Sequence, residues 1–71
     1  MRRVVTAVYR RDGETWVVTF EELELSTWGH SLEHAKQSAR EALAATLDYG
    51  SVDELEAEVA VVDVVQPAAS G

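Results

Sequence analysis

The chain has no cysteine and a single proline, Pro67, close to its end. Without thiols neither a disulfide framework nor a thiolate metal site can form, so 71 residues must hold together by packing alone. No apolar run approaches the ~20 residues that span a bilayer. The start, Met1-Arg2-Arg3-Val4, opens like a secretion signal, but Thr6, Tyr9, Arg10 and Arg11 interrupt any apolar region behind it. These absences point to a soluble protein of a reducing, cytoplasmic compartment. Basic residues are missing as well, from one part of the chain only. All six lie at or before Arg40, where six acids balance them. Beyond it come Glu41, Asp48, Asp53, Glu54, Glu56, Glu58 and Asp63 and no base, so the whole net charge of −7 arises there. Such a half repels phosphate and draws a basic partner, or simply keeps a small domain solvated.

What is present is organised around Thr27–Ala35 and the helix it launches. Gly29 offers the freedom to take a positive φ, and Ser31 stands where an N-cap hydroxyl belongs. From Leu32 onward, Ala35, Ala39, Ala42, Leu43, Thr46 and Leu47 recur at spacings of three and four, which predicts one buried helical stripe. Ahead of it, Arg2–Arg11 and Glu14–Phe20 read as strands joined by Asp12-Gly13 in a type I′ turn. That turn sets Arg11 opposite Glu14, Tyr9 opposite Trp16, Ala7 opposite Val18 and Val5 opposite Phe20, and the last three pairs share the face expected to meet the helix. The other face holds Val4, Thr6, Val8, Thr15, Val17 and Thr19. Glu21–Leu25 breaks the alternation and reads as a loop, with a third strand ending near Trp28. Gly50 is a candidate helix stop, Ser51-Val52-Asp53-Glu54 has capping-box form and predicts a brief turn, and 58–65 is a valine-rich fourth strand. Residues 1–66 thus form one domain and 67–71 a disordered tail. The expected fold is α+β in two layers, β-β-β-α-β: a three-stranded antiparallel meander, one long helix on one face, and a fourth strand at the edge parallel to the first. A fourth strand beside the third is the alternative.

The segment R-D-G-E-T-W-V-V-T-F, followed by E-L-E-L-S-T-W-G-H-S-L-E-H-A and S-A-R-E-A-L-A-A-T-L, resembles the HicB-like antitoxin family over roughly Val4–Leu47. The resemblance implies a partial ribonuclease-H-like fold and an antitoxin that covers and neutralises a small basic, mRNA-cleaving toxin of the HicA type. Two departures stand out. A proline usual after the second strand is absent, since Phe20 is followed by Glu21-Glu22-Leu23. His34 also stands where the family commonly has a capping-box glutamate. Members of the family often append a helix-turn-helix or ribbon-helix-helix, for which this sequence leaves no room, so binding to operator DNA is not expected.

Catalytic chemistry finds little footing. His30-Ser31-Leu32-Glu33-His34 matches H-x-x-E-H, but a helix that starts inside the motif keeps the two histidines off one helical turn. Glu21, Glu22 and Glu24 sit together in one loop rather than converging on a metal from several elements. Arg2, Arg3, Arg10 and Arg11 mark the two ends of one strand and form no basic stripe, which argues against direct nucleic-acid binding. No catalytic residue, metal ligand or cofactor is therefore expected, and the chain reads as an interaction protein rather than an enzyme. Glu21, Glu22 and Glu24, with Trp28 as an anchor, are the candidate partner-binding residues. Val4, Val8 and Val17 on the uncovered sheet face, and Val61 on the fourth strand, are the candidates for self-association into a dimer or tetramer. An orphan homo-oligomeric domain with an unrelated protein partner is the alternative function.

Overall fold

The computed structural model describes residues 3–66. The expected tail at 67–71 lies outside them. Strands β1 (Arg3–Asp12), β2 (Thr15–Phe20) and β3 (Leu25–Gly29) precede helices α1 (Leu32–Thr46) and α2 (Val52–Glu58), and β4 (Val59–Val65) follows. The sheet order is β3-β2-β1-β4, antiparallel across the first three strands, with β4 parallel to β1 at the edge. This is an α+β domain of two layers, and β4 lies beside β1 rather than β3. The turn expected after Ser51 is a full seven-residue helix, so the crossover carries two helices. No helix among the described residues is long and apolar enough to cross a membrane.

The hairpin register differs from expectation by two residues. Asp12 pairs with Thr15 and extends β1, leaving Gly13-Glu14 as the loop. Only Gly13 takes a positive φ, +64°, which is the demand of a type II′ turn on its first loop residue. The Thr15 hydroxyl donates to the Asp12 carbonyl at 2.8 Å and Arg11 Nε to that of Gly13 at 3.1 Å, which fastens the end. Tyr9 therefore faces Val18, Ala7 faces Phe20, and Trp16 faces Arg11. A shift of two keeps every side chain on its own face, so the choice of buried face survives the change of partners. Val5, Ala7, Tyr9, Val18 and Phe20 are all buried under the helices.

Helix α1 meets the sheet through Ala35, Ala39, Leu43 and Ala44. Ala44 replaces Thr46 in the expected stripe, Thr46 being exposed. The small residues let the helix lie close, and Gly29 is where it lies closest. A Cβ on Gly29 would stand 2.7 Å from Ala35 Cα and 2.8 Å from His34 C. Its φ is not positive, so this glycine is required by proximity rather than by backbone conformation. The end of α1 is likewise not at Gly50. Asp48 takes the left-handed conformation (φ 64°), with Tyr49 N–H donating to Ala44 O at 2.8 Å and Asp48 N–H to Ala45 O at 3.3 Å. That is a Schellman stop with aspartate in the seat glycine usually fills.

Candidate functional site

Both helices start alike. Ser31 Oγ accepts from His34 N–H at 3.1 Å, and Ser51 Oγ accepts from Glu54 N–H at 3.2 Å. In return Glu54 Oε2 accepts from Gly50 N–H at 3.0 Å, and His34 Nδ1 accepts from His30 N–H at 3.1 Å. Each helix thus closes a reciprocal box with the residue just before its cap. His34 does the work that glutamate does in the other box, because an imidazole nitrogen can also accept a hydrogen bond. His30 and His34 stack at 5.6 Å with their planes 21° apart, and His30 stands edge-on to Trp28 at 5.1 Å. Near-parallel rings do not turn their nitrogens toward one point, and one nitrogen of His34 is already engaged. Among the described residues no group of three or more His, Cys, Asp or Glu side chains could hold a metal ion.

The loop Glu21–Glu24 divides in use. Glu22 folds back onto β1 beyond the end of β2: Thr6 N–H donates to its Oε1 at 2.8 Å and the Thr6 hydroxyl to Oε2 at 3.1 Å. The backbone donor of Thr6 holds the Glu22 carboxyl below its usual pKa. Glu22 thus serves Thr6 of β1 where β2 has ended, and its side chain is exposed. Glu21 and Glu24 are exposed as well.

The larger acidic surface lies at the other end. Glu41, Asp48, Asp53, Glu54, Glu56 and Glu58 are all exposed around the end of α1 and along α2. Neither helix has a basic residue in its last turn. Carboxylates near helix C-termini oppose the dipole, so Asp48, Glu56 and Glu58 sit where helix stability alone would not put them. Between these helices is an open hollow of about 390 Å³ bordered by Glu41, Ala44, Ala45, Tyr49 and Val52. Asp63, the remaining acid, turns inward from β4. Tyr9 Oη donates to its Oδ1 at 3.1 Å and Arg40 Nη2 to its Oδ2 at 3.0 Å, while Arg40 Nε reaches Glu56 at 3.3 Å. Burial, then the charge and hydrogen bond of Asp63, push the Tyr9 hydroxyl up to about 12. Burial alone would lower the Arg40 pKa, but Asp63 outweighs it and the net direction is upward. This junction ties β1, β4 and both helices together. Nothing in the valine-rich pattern of β4 announces it, although a lone acid inside such a run is the signal that was there to be read.

The uncovered sheet face presents Val4, Val8, Val17, Trp28, Val62 and Val64 among Thr6, Thr15, Thr19 and Ser26. Val4 is 56% exposed and Trp28 54%, high for residues of their size. Val61, by contrast, pairs with Val5 and packs against the core, so the outward residues of β4 are Val62 and Val64. Comparison with family models, with curated proteins and with solved structures finds no match for this chain.

Proposed function

We propose that the chain is an antitoxin-like interaction protein of HicB type, binding a small basic mRNA-cleaving toxin in the cytoplasm and neutralising it by covering its surface. The reading is carried by the acidic surface at the end of α1 and along α2, where six carboxylates stand exposed and, among the described residues, only Glu56 is ion-paired, to Arg40. The C-terminal dipole ends of both helices deepen the same negative field. A field of this kind speeds encounter with a basic partner and disfavours nucleic acid. On this reading the seat of the toxin is the α1–α2 surface, and the chain itself does no chemistry.

The test is co-expression with the adjacent gene and a pull-down, followed by association kinetics. Glu41, Asp53 and Glu58 make no hydrogen bond or ion pair within the described residues, so Glu41→Lys, Asp53→Lys and Glu58→Lys together alter the field with little effect on the fold. Association should slow and lose most of its salt dependence. A complex as tight and as salt-sensitive as before, or divalent-dependent RNA cleavage by the isolated chain, would overturn the reading. The bare sheet face favours a second possibility, an orphan homo-oligomeric domain of the same type.

A further inference from the structure

We infer that the open sheet face is a self-recognition surface, on which two copies pack sheet to sheet with Trp28 of each seated in a hollow beside Arg10 of the other. The inference deepens the homo-oligomeric reading and holds whether or not a toxin is bound to the acidic surface.

The hollow lies on the same face as Trp28. It has a volume of about 220 Å³ and is lined by Val8, Arg10, Thr19, Glu21 and Gln66. That is smaller than the ~300 Å³ at which small-molecule sites begin, and of a size to take one large side chain. Trp28 is a suitable occupant. It stands on β3 opposite Val17, more than half exposed, and the edge of His30 steadies it, so little freedom remains to be lost on docking. Arg10 offers its guanidinium to the indole face, a favourable pairing once water is excluded.

Symmetry brings the two together. Trp28, Val17 and Arg10 form one row across the sheet, and Gln66, whose N–H donates to Tyr9 O, continues it. Consider a two-fold axis between the copies, parallel to the strands and midway between β2 and β1. It lays β3 of one copy over β4 of the other and carries Trp28 onto the Gln66 end of the partner's row, against Arg10. The strands then run close to parallel in the two layers, which is the aligned packing that twisted sheets adopt.

Charge and area agree with a second copy as the occupant. Two chains of net charge −7 can approach most easily away from the six exposed carboxylates of α1 and α2, which lie on the opposite layer, and Glu21 at the rim of the hollow has Arg10 beside it. A basic toxin would meet Arg10 on this face. Four strands at ~4.8 Å spacing and about six residues at ~3.3 Å give a face of roughly 19 by 20 Å. Two such pleated faces bury on the order of 1,000 Å², near the lower limit for a specific interface, so a dimer in the micromolar range is expected.

The experiment is sedimentation equilibrium of the full chain from low to several hundred micromolar, with Trp28→Ala and Val62→Lys as variants. Both sites are exposed, so both variants should fold, as circular dichroism will check. The unmodified chain should dimerise. Trp28→Ala should weaken the dimer on the order of thirtyfold, the scale for loss of an interface tryptophan, and Val62→Lys should do likewise. In a Trp16→Phe background the emission of Trp28 should move to shorter wavelength as concentration rises. A monomer throughout overturns the inference, and so does a dimer that both variants leave intact, which would place the contact at a strand edge. A Trp28 shift that occurs only when toxin is added would give this face to the toxin instead.

Discussion

The two faces of the sheet are built from much the same residues and meet opposite fates. On one, Val5, Ala7, Tyr9, Val18 and Phe20 are sealed under α1 and α2. On the other, Val4, Val62 and Val64 stand about half exposed with threonines between them. Hydropathy alone barely separates the two. On β1 and β2 aromatic bulk does, since Tyr9 and Phe20 fill the volume under the covering layer, while Trp28 of β3 is the aromatic of the open face. So does polar satisfaction. On β4 the covered face admits a charge, Asp63, and surrounds it with Tyr9 and Arg40, whereas the open face uses hydroxyls that water or a neighbour can serve, as in the 3.2 Å contact of Thr19 with Ser26.

The sharpest way to break the comparison is to truncate one residue on each side. Phe20→Ala should cost about 3–5 kcal/mol, because a packed side chain leaves a cavity. Val4→Ala, in dilute solution, should stay within about 0.5 kcal/mol. Urea unfolding of the two variants measures the contrast, and similar losses would mean that both faces are covered in the single chain. Next comes the helix–sheet contact itself. Gly29→Ala should cost about 3 kcal/mol by forcing α1 off β3, while a same-sized change at exposed Ser26 should be nearly silent.

The Asp63 junction gives a smaller and pH-dependent effect. Asp63→Asn should cost about 2 kcal/mol through weaker bonds to Tyr9 and Arg40. The Tyr9 hydroxyl titrates near 12 in the folded chain and near 10 when unfolded. A raised pKa means that its contribution is complete below pH 10 and is lost as pH climbs toward 12. Thermal melts across that window should show the loss in the unmodified chain and a shallower decline in Tyr9→Phe. Glu22 works in the opposite sense: its lowered pKa gives stability at neutral pH that disappears as the carboxyl is protonated in acid.

The smallest effects concern helix ends. Ser31→Ala should cost about 1 kcal/mol. His34→Glu should be neutral or stabilising by a few tenths of a kcal/mol, since a carboxylate can close the same box and suits the helix dipole. Asp48→Gly should stabilise by about 0.5–1 kcal/mol, because glycine adopts the left-handed stop without strain. Differential scanning calorimetry resolves changes of this size.

Much of this fold was legible in advance because the signals are local. A period of two told the covered face from the open one, a period of three to four marked α1, and two serines announced both helix starts where their hydroxyls indeed accept backbone N–H groups. The two-residue slip in the hairpin shows the limit of such reading: turn residues select a loop, but whether Asp12 joins the strand depends on the bond from Thr15. Of the candidate residues, Glu21, Glu22 and Glu24 are all exposed, Glu22 while bonded to Thr6, and Val61 packs against the core where Val62 and Val64 face outward.

By itself, then, the sequence determined the kinds and order of the elements, the side of each strand that is buried, and the location of the charge excess. Only the tertiary structure decided what single residues do. Glu22 meets Thr6 across 16 positions, Tyr9 meets Asp63 across 54, and Gly29 is constrained by a helix that has not begun when the chain passes through it. Periodicity is a property of neighbours along the chain. These contacts join residues that become neighbours only when the layers close, so no spacing rule contains them.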